Sequence, residues 1–90
     1  MSDFQEVYDY YYDQNKYYAS RDIYEFILLY KMRKISKTDL IDELSLERDL
    51  ALQAKHNFPD PELDKLISGF VRYLNDQIKR INNNLPPWDI

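Results

Sequence analysis

Hydrophobic residues recur every three or four positions in four segments of the chain, which is the spacing of amphipathic helices. The fourth segment is the most regular, with an alternation of three and four that is typical of bundles, at Leu63, Ile67, Phe70, Leu74, Ile78, Ile81 and Leu85. No segment shows the strict polar–apolar alternation of a half-buried strand. The pattern predicts an all-α fold, a compact bundle of three or four helices joined by short turns.

The first two helical segments differ in how much of their surface is apolar. The first follows Ser2, a candidate N-cap with Gln5 as its capping-box partner, and has one aromatic face. The second follows Ser20, and Leu28 and Leu29 extend its apolar stripe around most of the cylinder. A helix that is apolar on most sides is normally central, so we expect this one at the centre of the bundle. The two segments form either one bent helix or two helices.

The third and fourth helices have clear start signals. Ser36 and Asp39 form an S-x-x-D capping box, and Asp60 is an N-cap followed by Pro61 at the first helical position. Within the fourth helix, Gly69 costs about 1 kcal/mol relative to alanine, which predicts the close approach of another backbone. The third helix carries Leu46 and Leu50 on a second face. We therefore expect it to meet two neighbours or a second subunit, and we predict a homodimer.

A chain of 90 residues has room for one domain. We place a single helical domain at residues 1–85 and a short C-terminal tail at 86–90, because Pro86 and Pro87 end the last helix. Residues 1–6 lack the basic and apolar regions of a secretory signal, and no apolar run approaches the roughly 18 residues of a membrane span. We expect a cytoplasmic protein that does not enter a membrane.

The composition argues against an enzyme and against a cofactor or metal site. The chain has no cysteine, one histidine and one glycine, so thiolate chemistry, multi-histidine metal sites and glycine-rich phosphate loops are excluded. Glu43 and Glu47 share a helix face, but the Glu-x-x-His spacing of carboxylate-bridged metal sites is missing, which favours a solvated face. The turn at residues 58–63 is similar to the start of a helix in helical chorismate mutases. The five arginines of this chain do not match the spacing of the arginines on which that family's site depends.

The unusual feature is an acidic, tyrosine-rich N-terminal segment. Eight of the nine tyrosines lie in the first thirty residues, and residues 1–18 carry four acids against one lysine. One interpretation places all the rings partly in the core with their hydroxyls at its rim. The other leaves Tyr10, Tyr12 and Tyr17 exposed beside Asp9 and Asp13 as a partner-binding face, since tyrosine is enriched at interaction hot spots. Both interpretations remain open at this point.

These observations predict a non-enzymatic protein-binding protein: an inhibitor, immunity or regulatory accessory protein that presents its acidic aromatic face to a basic partner. Residues 34–40, with Glu47 and Arg48 beyond them, are similar to a helix opening in colicin D-type immunity proteins. This resemblance covers under a fifth of the chain, and general capping chemistry explains it equally, so we assign no family from it.

The alternative is a self-assembling accessory subunit of a nucleic-acid-handling complex. A basic patch at residues 31–34 is its main support. Direct nucleic-acid binding is disfavoured, because the net charge is −4 and the third helix, which would read the groove, carries five acids: Asp39, Asp42, Glu43, Glu47 and Asp49.

Overall fold

The computed structural model describes residues 3–16 and 21–88, and within these ranges it contains four helices and no strand. The helices are α1 (Phe4–Lys16), α2 (Arg21–Lys31), α3 (Lys37–Asn57) and α4 (Pro61–Asn82). The predicted all-α bundle is confirmed. α1 and α2 are described as separate elements, and residues 17–20 between them lie outside the described residues.

The predicted helix starts can be checked at two of the four helices, α3 and α4. The Ser36 hydroxyl accepts from the Asp39 backbone N–H at 3.0 Å, and the Asp39 carboxylate accepts from the Ser36 N–H at 3.3 Å. Asp60 accepts from two backbone N–H groups of α4, and Pro61 is at its first position. At α1 the Asp3 carboxylate accepts from the Glu6 N–H at 3.0 Å. The predicted caps Ser2 and Ser20 lie outside the described residues.

The central helices are α3 and α4. α4 packs against both α1 and α3, and α3 packs against both α4 and α2. The prediction that the second segment is central is wrong, because α2 leaves Tyr24, Leu28 and Leu29 between 37% and 46% exposed. The core comes from one face of each helix, and its buried side chains are Tyr11, Ile23, Ile27, Leu40, Leu44, Ala51, Leu63, Ile67, Phe70, Leu74 and Ile81.

Contacts between the helices define their directions. α3 and α4 are antiparallel, since Lys37 at the start of α3 bonds Asn84 beyond the end of α4, and Arg48 bonds Asn75 at 3.2 Å. α1 packs on the N-terminal half of α4, with Tyr8 near Glu62, Asn15 near Leu66 and the Tyr11 ring near Phe70. The molecule measures 37 × 21 × 20 Å.

The group that lies closest to Gly69 is a side chain of α1 and not the backbone of another helix. A Cβ at this position would lie 2.8 Å from Oδ1 of Asn15, so an alanine here would force that amide to shift. The Asn15 Nδ2 donates to the Leu66 carbonyl at 2.7 Å and to the Tyr11 carbonyl at 2.9 Å. The predicted close approach of another backbone is therefore wrong, because the group nearest to Gly69 is the Asn15 side chain of α1.

The fourth helix contains a buried glutamine that the apolar pattern did not indicate. Gln77 is fully buried, whereas Ile78 is half-buried and Leu85 is 48% exposed. The Gln77 amide accepts from the Trp88 backbone N–H at 2.9 Å and donates to the Trp88 carbonyl at 3.2 Å. It also donates to the Tyr73 hydroxyl at 3.0 Å. The chain after α4 is thus held against the helix by a side chain from the core.

Both α2 and α4 end in a left-handed residue that is not glycine. Arg33 has φ 60° and Asn84 has φ 59°. In each case the next residue closes the helix end, with Lys34 N–H donating to Leu29 and Leu85 N–H donating to Arg80. These are Schellman motifs, in which glycine is usual because a left-handed residue with a Cβ costs about 1–2 kcal/mol. Asparagine tolerates this conformation; arginine is an unusual choice.

Candidate protein-binding surface

The tyrosines of α1 divide between the core and the surface. Tyr11 is buried, with its ring 5.7 Å from that of Phe70. Tyr10 and Tyr12 are 42% and 47% exposed, and Asp9 and Asp13 are also exposed. Four of the five residues predicted to bind a partner are therefore accessible on one helix. Tyr17, the fifth, lies outside the described residues.

Tyr10 and Tyr12 do not lie side by side. At about 100° per residue they are about 160° apart around the helix axis, one on each flank of the buried face. Asp9 and Asp13 lie between them on the outward side, together with Glu6, which is also exposed. The predicted patch is therefore a ridge of carboxylates with a tyrosine on each side.

On one flank, Tyr12 is the end of a row of aromatic rings. Phe4, Tyr8 and Tyr12 follow each other at intervals of four, with ring centroids 5.9 and 6.3 Å apart. The Tyr8 hydroxyl donates to the Glu62 carboxylate on α4 at 3.4 Å. Partial burial and the nearby Glu62 carboxylate raise the pKa of Tyr8 above its usual value. This flank therefore combines ring faces with a carboxylate from a second helix.

On the other flank, Tyr10 lies beside a carboxylate from α3. Its ring meets that of Tyr11 edge to face at 4.9 Å, and its hydroxyl donates to Glu47 at 3.5 Å. Burial and, to a smaller extent, the Glu47 carboxylate raise the pKa of Tyr11 to about 12. Glu47 is half-buried between α1 and α3. The sequence pattern predicts that Glu47 lies on a solvated face, because the spacing of residues within α3 does not indicate the contact with Tyr10 of α1.

We refer to Glu6, Asp9, Tyr10, Tyr12, Asp13, Glu47 and Glu62 together as the α1 surface. Five of these seven residues are acids contributed by three helices, and two are exposed tyrosines. Gln5 donates to Asp9 at 2.8 Å, which fixes the orientation of one carboxylate. The arrangement presents negative charge and aromatic area on one side of the molecule, as protein-binding surfaces do.

Among the described residues, no group of three or more histidine, cysteine or acidic residues could hold a metal ion. None of the four helices, as far as they are described, is long and apolar enough to cross a membrane. Comparison of the chain with protein-family models, with curated proteins and with solved structures found no match.

Proposed function

We propose that this chain is a small, non-enzymatic protein-binding protein of the inhibitor, immunity or regulatory kind, acting in the cytoplasm. Its α1 surface would bind a basic partner protein. The observation that supports this most strongly is that Tyr10 and Tyr12 are exposed, although they flank Tyr11 in the chain. Tyr11 is the tyrosine of α1 that is buried in the core. The fold therefore does not need these two rings inside.

The chemistry of the α1 surface suits arginine and lysine side chains. A guanidinium group stacks on a tyrosine face and forms paired hydrogen bonds with a carboxylate. Each flank offers a tyrosine ring and a carboxylate. On one flank these are Tyr10 and Glu47. On the other flank, Tyr12 lies next to Tyr8, and the Tyr8 hydroxyl donates to Glu62. A partner that straddles α1 would place one cation on each flank and meet Asp9 and Asp13 at the centre.

The test begins with capture of the partner from the native host, followed by affinity measurement on purified proteins. Tyr10→Ser and Tyr12→Ser should each weaken binding by about 2 kcal/mol, as hot-spot tyrosines do, while the thermal midpoint changes little. Tyr24→Ser is the matched control, because Tyr24 is 46% exposed on α2, away from this surface. Equal losses in all three variants, or lost folding in the first two, would contradict the proposal.

Charge gives an independent measurement on the same complex. Asp9→Asn with Asp13→Asn should mainly slow association, and the slowing should shrink at high salt because steering is screened. Asp42→Asn with Asp49→Asn removes the same charge from the exposed side of α3 and serves as control. If both pairs slow association equally, only the net charge acts and the α1 surface is not the contact.

A second candidate function, a self-assembling accessory subunit of a nucleic-acid-handling complex, is favoured by apolar residues left on the surface. Tyr24, Leu28 and Met32 form a row along α2 at intervals of four, with 41–56% of each exposed. Leu46 and Leu50 are 52% and 48% exposed on α3. Such residues support a homodimer. Gly69 does not add support for a homodimer, because the Asn15 side chain of the same chain covers it.

A further inference from the structure

A pocket of about 620 Å³ lies where α2 ends and the chain after α4 returns. It is beyond the C-terminal end of α4, whereas the α1 surface borders the N-terminal half of that helix through Glu62. Tyr30, Pro86 and Pro87 form its apolar walls. Its volume falls within the range of small-molecule sites, about 300–1,000 Å³.

The rim of this pocket is cationic in an otherwise acidic protein. Lys31, Arg33 and Lys34 line it, and none of the eight described residues around it is an acid. The charge comes from these side chains, whereas at the start of α3 the Ser36–Asp39 capping box uses the Ser36 and Asp39 N–H donors. The pocket is thus a local region of positive potential that repels cationic ligands and attracts anions.

Two features give the pocket a defined shape. Arg33 is held at φ 60° by the closing bonds of α2, in a position where glycine would fit with less strain. The opposite wall is anchored, since Arg80 donates to the Pro86 carbonyl at 2.9 Å and Gln77 holds the backbone of Trp88. Pro87 is buried and Tyr30 is half-buried. The cations therefore face an apolar wall that does not depend on a ligand to form.

We propose that this pocket binds a small phosphate-bearing molecule that also carries a flat ring, of the size of a nucleotide. The Arg33 guanidinium would form paired hydrogen bonds with phosphate oxygens, and the two lysines would add point charges. Tyr30 and the two prolines would contact the ring. This site is separate from the α1 surface and does not depend on the function proposed for it.

The experiment titrates adenosine diphosphate into the full chain at fixed moderate salt, with detection by backbone amide NMR and by calorimetry. Amide shifts should concentrate at residues 29–36 and 85–88, and pyrophosphate should bind more weakly because it lacks the ring. Arg33→Gln with Lys34→Gln should weaken binding by about tenfold or more, since charge-assisted bonds to phosphate are lost. The control Lys65→Gln with Arg72→Gln removes one lysine and one arginine from exposed positions of α4. It should change the affinity less than about twofold.

A second variant separates folding from binding. Arg33→Gly relieves the left-handed strain, so it should raise the thermal midpoint while it weakens binding. The proposal is overturned if millimolar diphosphate causes no localised shifts, or if the control pair loses as much affinity as the pocket pair. It is also overturned if only a single-stranded oligonucleotide or an acidic peptide binds at these residues.

Discussion

At the scale of single residues, Gln77 links the core to the chain end. The buried residues of α4 are spaced four, three and four from Phe70 through Leu74 and Gln77 to Ile81, so Gln77 occupies the core position that the sequence pattern predicts for Ile78. A buried amide is stable only when its hydrogen bonds are made, and the backbone of Trp88 makes two of them. The conformation of residues 85–88 thus depends on one side chain in α4.

Gln77→Leu keeps the volume of the side chain and removes both bonds to Trp88. We expect a loss of about 1–2 kcal/mol in the free energy of unfolding, because the freed backbone groups must be hydrated or left unpaired. The fluorescence anisotropy of Trp88, the only tryptophan, should fall as the tail is released. Gln53→Leu, at an exposed position of α3, should leave the anisotropy unchanged. Unchanged anisotropy in both variants would show that Gln77 does not anchor the tail.

Ionisation of Tyr11 makes the free energy of unfolding depend on pH in the alkaline range. Its pKa is about 12 in the folded chain, against 10.0 for an ordinary tyrosine. Between these values the unfolded chain releases the proton and the folded chain keeps it, so raising the pH favours unfolding. The stabilisation is complete below pH 10 and is lost as the pH approaches 12.

Urea titrations at pH 9.5 and 11.5 should therefore differ by about 2 kcal/mol in the part of the unfolding free energy that Tyr11 contributes. Tyr11→Phe cannot ionise at this position and should show a smaller loss over the same interval. Tyr24→Phe, on the exposed side of α2, should keep the wild-type loss. Equal losses in all three proteins would mean that Tyr11 titrates as it does in water.

At the scale of elements, a polar contact and an apolar contact lie side by side where α1 packs on the middle of α4. Asn15 lies over Gly69 and bonds the Leu66 carbonyl, while the Tyr11 ring packs on Phe70. Glycine lowers the helical propensity of α4 by about 1 kcal/mol, and the fit of Asn15 offsets that loss. The position is therefore a compromise between helix stability and helix–helix packing.

A double-mutant cycle isolates this compromise. Gly69→Ala alone should yield no gain in stability, because the new Cβ displaces the Asn15 amide from its bonds. In an Asn15→Ala background, the same change should stabilise the fold by about 1 kcal/mol, the propensity difference. Chemical denaturation of the four proteins gives the coupling energy. Simple additivity would mean that Asn15 does not rest on Gly69 in solution.

At the scale of the whole molecule, charge and apolar surface are unevenly distributed. The acidic α1 surface and the cationic pocket are associated with opposite ends of α4, in a molecule 37 Å long. The exposed apolar residues of α2 and α3 lie outside both sites. A chain of this size buries about two-thirds of its unfolded surface, so covering such residues in a dimer would add to a small core.

We expect sedimentation to show a homodimer of the 11.0 kDa chain at micromolar concentrations. Leu28→Lys and Leu46→Lys place a charge on the exposed apolar rows of α2 and α3, and at least one of them should yield monomers. Leu85→Lys is the control, since Leu85 is 48% exposed after the end of α4. A wild-type chain that sediments as a monomer throughout this range would end the dimer hypothesis.

The sequence by itself determined the all-α fold and the starts of α3 and α4. Periodicity identified the buried face of α4, and local side-chain chemistry identified the caps at Ser36 and Asp60, because capping bonds join residues two or three apart. It also identified the exposed pair Tyr10 and Tyr12 as one of two alternatives. These features depend on neighbours in the chain, which a pattern can report.

The tertiary structure decided what depends on residues far apart in the chain. It made α3 and α4 the central pair in place of α2, paired Asn15 with Gly69, and brought Glu47 and Glu62 to the tyrosines of α1. It also formed the cationic pocket from residues 30–36 and the two prolines near the chain end. Hydrophobic periodicity states which face of a helix is buried, but not which helix covers it. That choice is made by the complementary packing of whole faces.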